Sequence, residues 1–237
     1  MFYIIQLPQF KFSSAKIVSG KKIYLLVAGG RKPDLTWLKQ AAEDKVVVCA
    51  DKGVSYCKQA GIVPKYLLGD GDSALADFDW AEQNGVQVKK YDAYKDKTDL
   101  QLALELIEKQ LDVGMLLVTG IWGGRFDHAY SALFSVLAFS REMAVPTLLL
   151  DNVEAMFLSY ANDKLTINFA ETPEVVSVLP LDSRVKVILS GCEWPLDNSI
   201  IEQDHPYAIS NRLKFGATKL DFALHEGVCG LYFCFSF

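Results

Sequence analysis

Between Ile23 and Leu150 the chain alternates short, unbroken apolar runs with longer segments of helical spacing. No other feature narrows its fold as much. Ile23 to Ala28, Val46 to Ala50, Tyr66 to Leu68, Met115 to Thr119 and Thr147 to Leu150 are continuous and rich in Val, Ile and Leu. Runs of this length without polar alternation fit strands buried on both faces. Pro33 to Glu43, Val54 to Ala60, Leu75 to Gln83, Thr98 to Gln110 and His128 to Ser140 fill the intervals, with apolar residues at helical spacing such as Leu100, Ala103, Leu104 and Ile107. Strand and helix in alternation predict an open parallel α/β sheet. Ligands of such sheets bind beyond the carboxyl ends of the strands, near the topological switch point.

After Asp151 the pattern changes. Short strand-like runs follow one another at Ala155–Ser159, Leu165–Phe169, Val175–Leu179, Val185–Leu189, Thr218–Ala223 and Val228–Phe235, separated by turn signals such as Asn162-Asp163 and Glu226-Gly227. This reads as an antiparallel β-sandwich. The fold expected is therefore α/β + all-β: a Rossmann-like open parallel sheet over residues 23–151, then a β-sandwich over residues 152–237. Met1 to Phe10 is apolar but broken by Gln6 and Pro8 and lacks a basic leading region. That argues against a secretory signal and leaves residues 1–22 as an extension or an extra strand.

Composition excludes several classes. A net charge of −5 with 22% charged residues argues against a general nucleic-acid binder. No apolar run approaches the ~20 residues a membrane span needs. The five cysteines form no CxxC pair, a usage that fits reduced thiols in a cytoplasm better than a disulfide framework or zinc site.

The chemistry concentrates at the expected strand ends. Leu67-Leu68-Gly69-Asp70-Gly71-Asp72-Ser73 carries two carboxylates two residues apart, which extended backbone projects to one side. Carboxylates so close repel unless a cation joins them or one takes up a proton, and hard oxygen donors favour Mg²⁺ or Mn²⁺. An acidic turn capping the next helix is the plainer alternative. Lys95-Asp96-Lys97-Thr98-Asp99 opens a helix that Thr98 or Asp96 can cap, while Asp99 in its first turn can face a metal or a hydroxyl. Asp51-Lys52-Gly53 stands at another strand end. Thr119-Gly120-Ile121-Trp122-Gly123-Gly124-Arg125-Phe126-Asp127-His128 follows a strand and opens a helix, so its free N–H groups and Arg125 suit phosphate oxygens. It is neither a Walker A loop nor GxGxxG. His128 has two readings, a base or a structural partner of Asp127. In the second half, Ser210-Asn211 can fix the polar edge of a heterocycle and Trp194 can stack on one, against the alternatives of an ordinary turn and a core tryptophan.

Taken together these motifs resemble the thiamin pyrophosphokinase family. The resemblance rests on Cys49-Ala50-Asp51-Lys52-Gly53, Leu68 to Ser73, Lys95 to Asp99, Gly123 to His128, Trp194-Pro195-Leu196 and Ser210-Asn211, in that order over residues 23–237. It implies transfer of the pyrophosphoryl group of ATP to the hydroxyl of thiamine, giving thiamine diphosphate and AMP, with ATP as co-substrate and Mg²⁺ as cofactor. It implies Asp70, Asp72 and Asp99 as metal ligands, and these with Arg125 as the catalytic set. Asp51, Lys52, Gly53, Lys95, Asp96, Thr98, Gly123, Gly124, Arg125, Asp127 and His128 would line the ATP site, and Trp194, Ser210 and Asn211 the thiamine site. Residues 23–151 would then be the nucleotide and metal domain and residues 152–237 the thiamine domain, in a cytoplasmic homodimer with its active site at the subunit interface. Gly71 replaces the aromatic usual between the paired aspartates, a change expected to loosen the loop, and His205-Pro206-Tyr207-Ala208-Ile209 departs from the usual approach to Ser210. Three rival readings differ in outcome: a pyrophosphokinase acting on another alcohol such as a hydroxymethyl pterin, a Mg²⁺-dependent phosphohydrolase using the Asp-x-Asp pair, and a non-catalytic nucleotide sensor.

Overall fold

A computed structural model of the chain describes residues 3–14, 20–71, 75–92 and 96–235. Two strands come first, β1 (Tyr3–Gln6) and β2 (Phe10–Ser14). The alternating series follows: β3 (Lys22–Val27), α1 (Leu35–Ala42), β4 (Val46–Ala50), α2 (Gly53–Gln59), β5 (Tyr66–Gly69), α3 (Leu75–Gln83), β6 (Gln87–Lys90), α4 (Asp99–Gln110), β7 (Val113–Thr119), α5 (Phe126–Met143) and β8 (Thr147–Leu150). Strands alone complete the chain: β9 (Glu154–Tyr160), β10 (Lys164–Phe169), β11 (Val175–Pro180), β12 (Arg184–Ser190), β13 (Leu196–Glu202), β14 (Lys219–Glu226) and β15 (Val228–Cys234). Two units result, one of Val18–Asp151 and one joining Met1–Ile17 to Asn152–Phe237.

In the first unit the strands β8, β7, β3, β4, β5 and β6 pair in that order, all parallel. β7 is buried along its whole length, and Leu25, Leu26, Val27, Val48, Leu67 and Leu68 are fully excluded from solvent. That explains their unbroken apolar runs: each strand has a covered surface on both faces. Helices α1 and α4 start where short polar side chains satisfy their first N–H groups. Asp34 accepts from the Trp37 N–H at 2.8 Å at the head of α1, and Thr98 with Gln101 forms a reciprocal capping box on α4. Gly53 seats α2 against β3: a methyl group there would lie 2.0 Å from the Val27 carbonyl oxygen. The strand order reverses at β3, where the chain moves from β4, β5 and β6 on one side to β7 and β8 on the other, and this is the switch point at which ligand sites form.

The second unit is antiparallel throughout. One sheet runs β1, β2, β10, β14, β12, β13, and the other β11, β15, β9. Phenylalanines from both sheets meet in its core. Phe12 on β2 packs edge-on to Phe157 on β9 at 4.9 Å, and Phe169 on β10 meets Phe233 on β15 at 5.1 Å. The N-terminal hairpin supplies Phe10, whose ring contacts Phe157, Phe169, Phe233 and Phe235. Of the two readings left open for residues 1–22, the described residues give strands, and they belong to this all-β unit rather than preceding the sheet of the first. β13 escapes the hydrophobic pattern because only Ile201 on it is fully buried.

Candidate active site

Three carboxylates converge beyond the strand ends of the parallel sheet. Asp51 follows β4, Asp70 follows β5, and Asp99 begins α4. One oxygen from each lies within 4.8 Å of the others, and all three side chains are partly buried. Backbone packing draws the loops together: the Asp51 N–H donates to the Leu68 carbonyl at 2.7 Å, and a methyl group on Gly69 would lie 3.1 Å from the Asp51 Cα. Asp51 takes a left-handed backbone at φ 44°, a conformation aspartate tolerates better than most residues. Three negative groups at this spacing repel one another in a partly desolvated pocket, and a small divalent cation with hard-oxygen preference relieves the repulsion. The donor set therefore fits Mg²⁺ or Mn²⁺.

The cluster differs in membership from the expected ligand set. Asp51, expected only near the nucleotide, stands in it with Asp70 and Asp99. Asp72, Ser73 and Lys95 lie outside the described residues. Asp96 is exposed and stands outside the cluster. The Thr98 hydroxyl accepts from the Gln101 N–H at 3.2 Å, so helix capping engages it. Gly71 has φ +78°, a conformation open to glycine and strained for an aromatic side chain, and a methyl group there would meet the Phe78 ring at 3.6 Å, an ordinary contact.

The second wall is the glycine loop between β7 and α5. Gly123 and Gly124 are exposed with φ +72° and +69°. Arg125 grips Asp127 through two bonds, Nε to Oδ1 at 3.1 Å and a terminal nitrogen to Oδ2 at 2.5 Å, with both side chains exposed. The guanidinium holds the Asp127 carboxyl below the usual carboxylate range. Asp127 also accepts the His128 backbone N–H at 3.0 Å, and His128 is exposed. Sequence reasoning missed two groups here. The Thr119 hydroxyl and the Trp122 indole N–H are buried without a hydrogen-bond partner among the described residues. Their only signal in the sequence is position, at the end of a strand and inside a glycine loop.

Lys52 is exposed beside Asp51, with its Cβ 3.0 Å from where a Gly29 methyl group would sit, while Gly53 is buried and acts through packing. In the all-β unit, Asn211 is buried and its amide is committed locally. Its oxygen accepts from the Trp194 and Arg212 N–H groups at 3.2 and 2.8 Å, and its nitrogen donates to the Trp194 carbonyl at 2.6 Å. The Trp194 ring is left 56% exposed, with the Arg212 guanidinium 5.5 Å above it. Trp194 is thus a presented aromatic face, not a core residue, and Asn211 is the clamp that presents it. Ser210 is exposed at φ 58°, its N–H donating to the Ser177 hydroxyl at 3.1 Å.

Carboxylates gathered at the ends of parallel strands, with a glycine-rich loop opening a helix at another strand end of the same sheet, define a class: an α/β protein whose strand ends suit a cation and phosphate groups. Comparison with known proteins narrows it. Residues 38–146 match the family model described as thiamin pyrophosphokinase, catalytic domain, and residues 164–229 match thiamin pyrophosphokinase, vitamin B1 binding domain. Thiamine pyrophosphokinase of Bacillus subtilis (strain 168) is 30% identical over 210 residues, which cover 84% of this chain and 92% of that protein. A crystal structure of thiamine pyrophosphokinase from Bacillus subtilis aligns with a TM-score of 0.77 at 28% identity, covering 91% of this chain and 100% of that one. Yeast thiamin pyrophosphokinase shares the fold, with a TM-score of 0.71 at 16% identity over 93% of this chain and 88% of that one. The chain belongs to the thiamin pyrophosphokinase family.

Proposed function

We propose that this protein is an enzyme that transfers the pyrophosphoryl group of ATP to the hydroxyl of thiamine, forming thiamine diphosphate and AMP. One observation carries the reading into chemistry: in a chain of this family, Asp51, Asp70 and Asp99 bring carboxylate oxygens within 4.8 Å at the strand ends. The substrate oxygen attacks the β-phosphorus of ATP, the bond from that phosphorus to the α–β bridging oxygen breaks, and AMP departs. Bound at the three carboxylates, Mg²⁺ would neutralise charge on the phosphates during this exchange.

The chain's own residues supply the rest. Asp51, Asp70 and Asp99 hold the cation, with Asp72 a fourth candidate. Arg125, exposed on the glycine loop, exchanges its grip on Asp127 for phosphate oxygens, and the loop N–H groups flank it. Asp99 or Asp72 takes the proton of the attacking hydroxyl. We assign thiamine to the Trp194 face and Ser210 of the second unit, read as a β-sandwich, with Asn211 acting by holding Trp194. Self-association as a homodimer with the active site at the interface is supported by apolar side chains left exposed on both units, among them Trp194, Tyr207, Ile209, Phe126 and Tyr130. Five buried cysteines outside any disulfide support a reducing, cytoplasmic setting. Among the described residues no helix is long and apolar enough to cross a membrane.

Incubation with ATP and Mg²⁺ against separate acceptors tests the assignment. AMP forming only with thiamine supports it. AMP with a hydroxymethyl pterin instead, phosphate released without any acceptor, or ATP bound with no product would each replace it with one of the rival activities.

A further inference from the structure

We propose that Arg31 is a phosphate-binding residue of the nucleotide site and that buried Asp151 is the positioning residue that aims it. The inference rests on the reading of this site as the ATP site and adds a cation that the motifs do not contain. Arg31 follows Gly29-Gly30 at the end of β3, the strand flanked by β4 on one side and β7 on the other. It therefore stands between the loop that carries Asp51 and the glycine loop that carries Arg125. The backbone knits it in: Gly30 N–H donates to the Gly120 carbonyl at 2.6 Å and Arg31 N–H to the Trp122 carbonyl at 2.7 Å. A methyl group on Gly123 would lie 3.2 Å from the Arg31 Cβ, so the side chain leaves the backbone against the glycine loop itself.

The guanidinium is anchored from behind. Its Nε and one terminal nitrogen donate to the same Asp151 oxygen, at 2.9 and 2.7 Å. Asp151 follows β8 and is wholly buried, whereas the Arg31 side chain is 33% exposed. A buried carboxylate is costly to keep for stability alone, because an apolar pair of similar volume serves at least as well. Pinning one side of a planar guanidinium limits the orientations it can take and lowers the entropy lost when a polyanion binds. Arg125 offers the opposite design, an exposed side chain paired with exposed Asp127 two residues on, in the first turn of α5. A triphosphate brought to three carboxylates needs positive charge beyond the cation, and Arg31 supplies it from a rigid position.

Steady-state kinetics of the full-length protein test this. The double variant Arg31→Gln/Asp151→Asn removes both charges of the pair together. The expected result is a KM for ATP raised about tenfold or more, with KM for thiamine unchanged. Inhibition by inorganic tripolyphosphate should weaken in parallel, while inhibition by AMP should not. Asp151→Asn alone should give an intermediate rise, since the arginine persists but is less firmly held. A folded double variant with wild-type KM for ATP and wild-type tripolyphosphate inhibition would overturn the proposal. If the double variant does not fold, Arg31→Lys, which keeps the ion pair and loses the fork, decides by the same ratio of effects. Should the wild type fail to turn over ATP with thiamine, the functional reading falls. Calorimetric binding of tripolyphosphate to wild type and variants then still decides the role of Arg31, equal affinities sinking it.

Discussion

Asp70 shows how a functional residue and a stabilising one differ. It sits with Asp51 and Asp99 in a cluster of like charges whose mutual repulsion a cation would relieve. Asp70→Asn is therefore expected to lower kcat/KM by on the order of 100-fold or more while leaving the melting temperature in EDTA unchanged or higher. Mg²⁺ should raise the melting temperature of the wild type and not of the variant, by linkage of binding to folding. A variant that melts much lower without metal would show the carboxylate to be structural. Asn211 and Trp194 make the opposite pair. Asn211→Ala strips two hydrogen bonds from Trp194 and one from the Arg212 N–H and is expected to cost about 2–4 kcal/mol in denaturant unfolding. Trp194→Ala, at an exposed ring, should change stability by less than about 1 kcal/mol and raise KM for thiamine. Equal stability losses in the two variants would remove the distinction between clamp and presented face. The carboxylates were legible in the sequence because repelling residues at strand ends have few structural excuses. The clamping role of Asn211 was not, because it depends on a bridge between segments 17 residues apart.

Among the elements, α2 and α3 are joined by a small polar network. Asp77 on α3 accepts from the Ser55 hydroxyl and pairs with Lys58 at 2.7 Å, both on α2. Hydrogen bonds from Lys58 and Ser55 hold its carboxyl below the usual range. A carboxylate whose pKa is lower folded than unfolded contributes stability that is full above its unfolded pKa of ~3.9 and is lost as pH falls from there through the lower folded-state value. Wild-type stability should thus decline more steeply than that of Asp77→Asn between about pH 5 and pH 3, measured by urea unfolding. Parallel acid limbs for the two proteins would show that the network carries no linkage. The strands β3, β4, β5, β7 and β8 were readable as apolar runs because both of their faces are covered. The same rule hides β13, exposed on most positions, and β6, whose residues Gln87 to Lys90 are half-buried at most. The N-terminal hairpin was ambiguous because its partner, β10, lies more than 150 residues away in the chain.

For the whole molecule, alternation of strand and helix followed by strands alone was enough to divide the chain near Asp151. It could not reveal that the first strands return to the second unit, since long-range pairing leaves no local pattern. Above all, the reaction moves a pyrophosphoryl group as one piece. ATP labelled with ³²P at the β-phosphate tests it most directly, in a reaction with thiamine and Mg²⁺ followed by separation of products. The label is expected wholly in thiamine diphosphate, with one AMP formed for each, and the reaction should stop when EDTA is added. Label in ADP or in free phosphate, or turnover that persists in EDTA, would contradict the account.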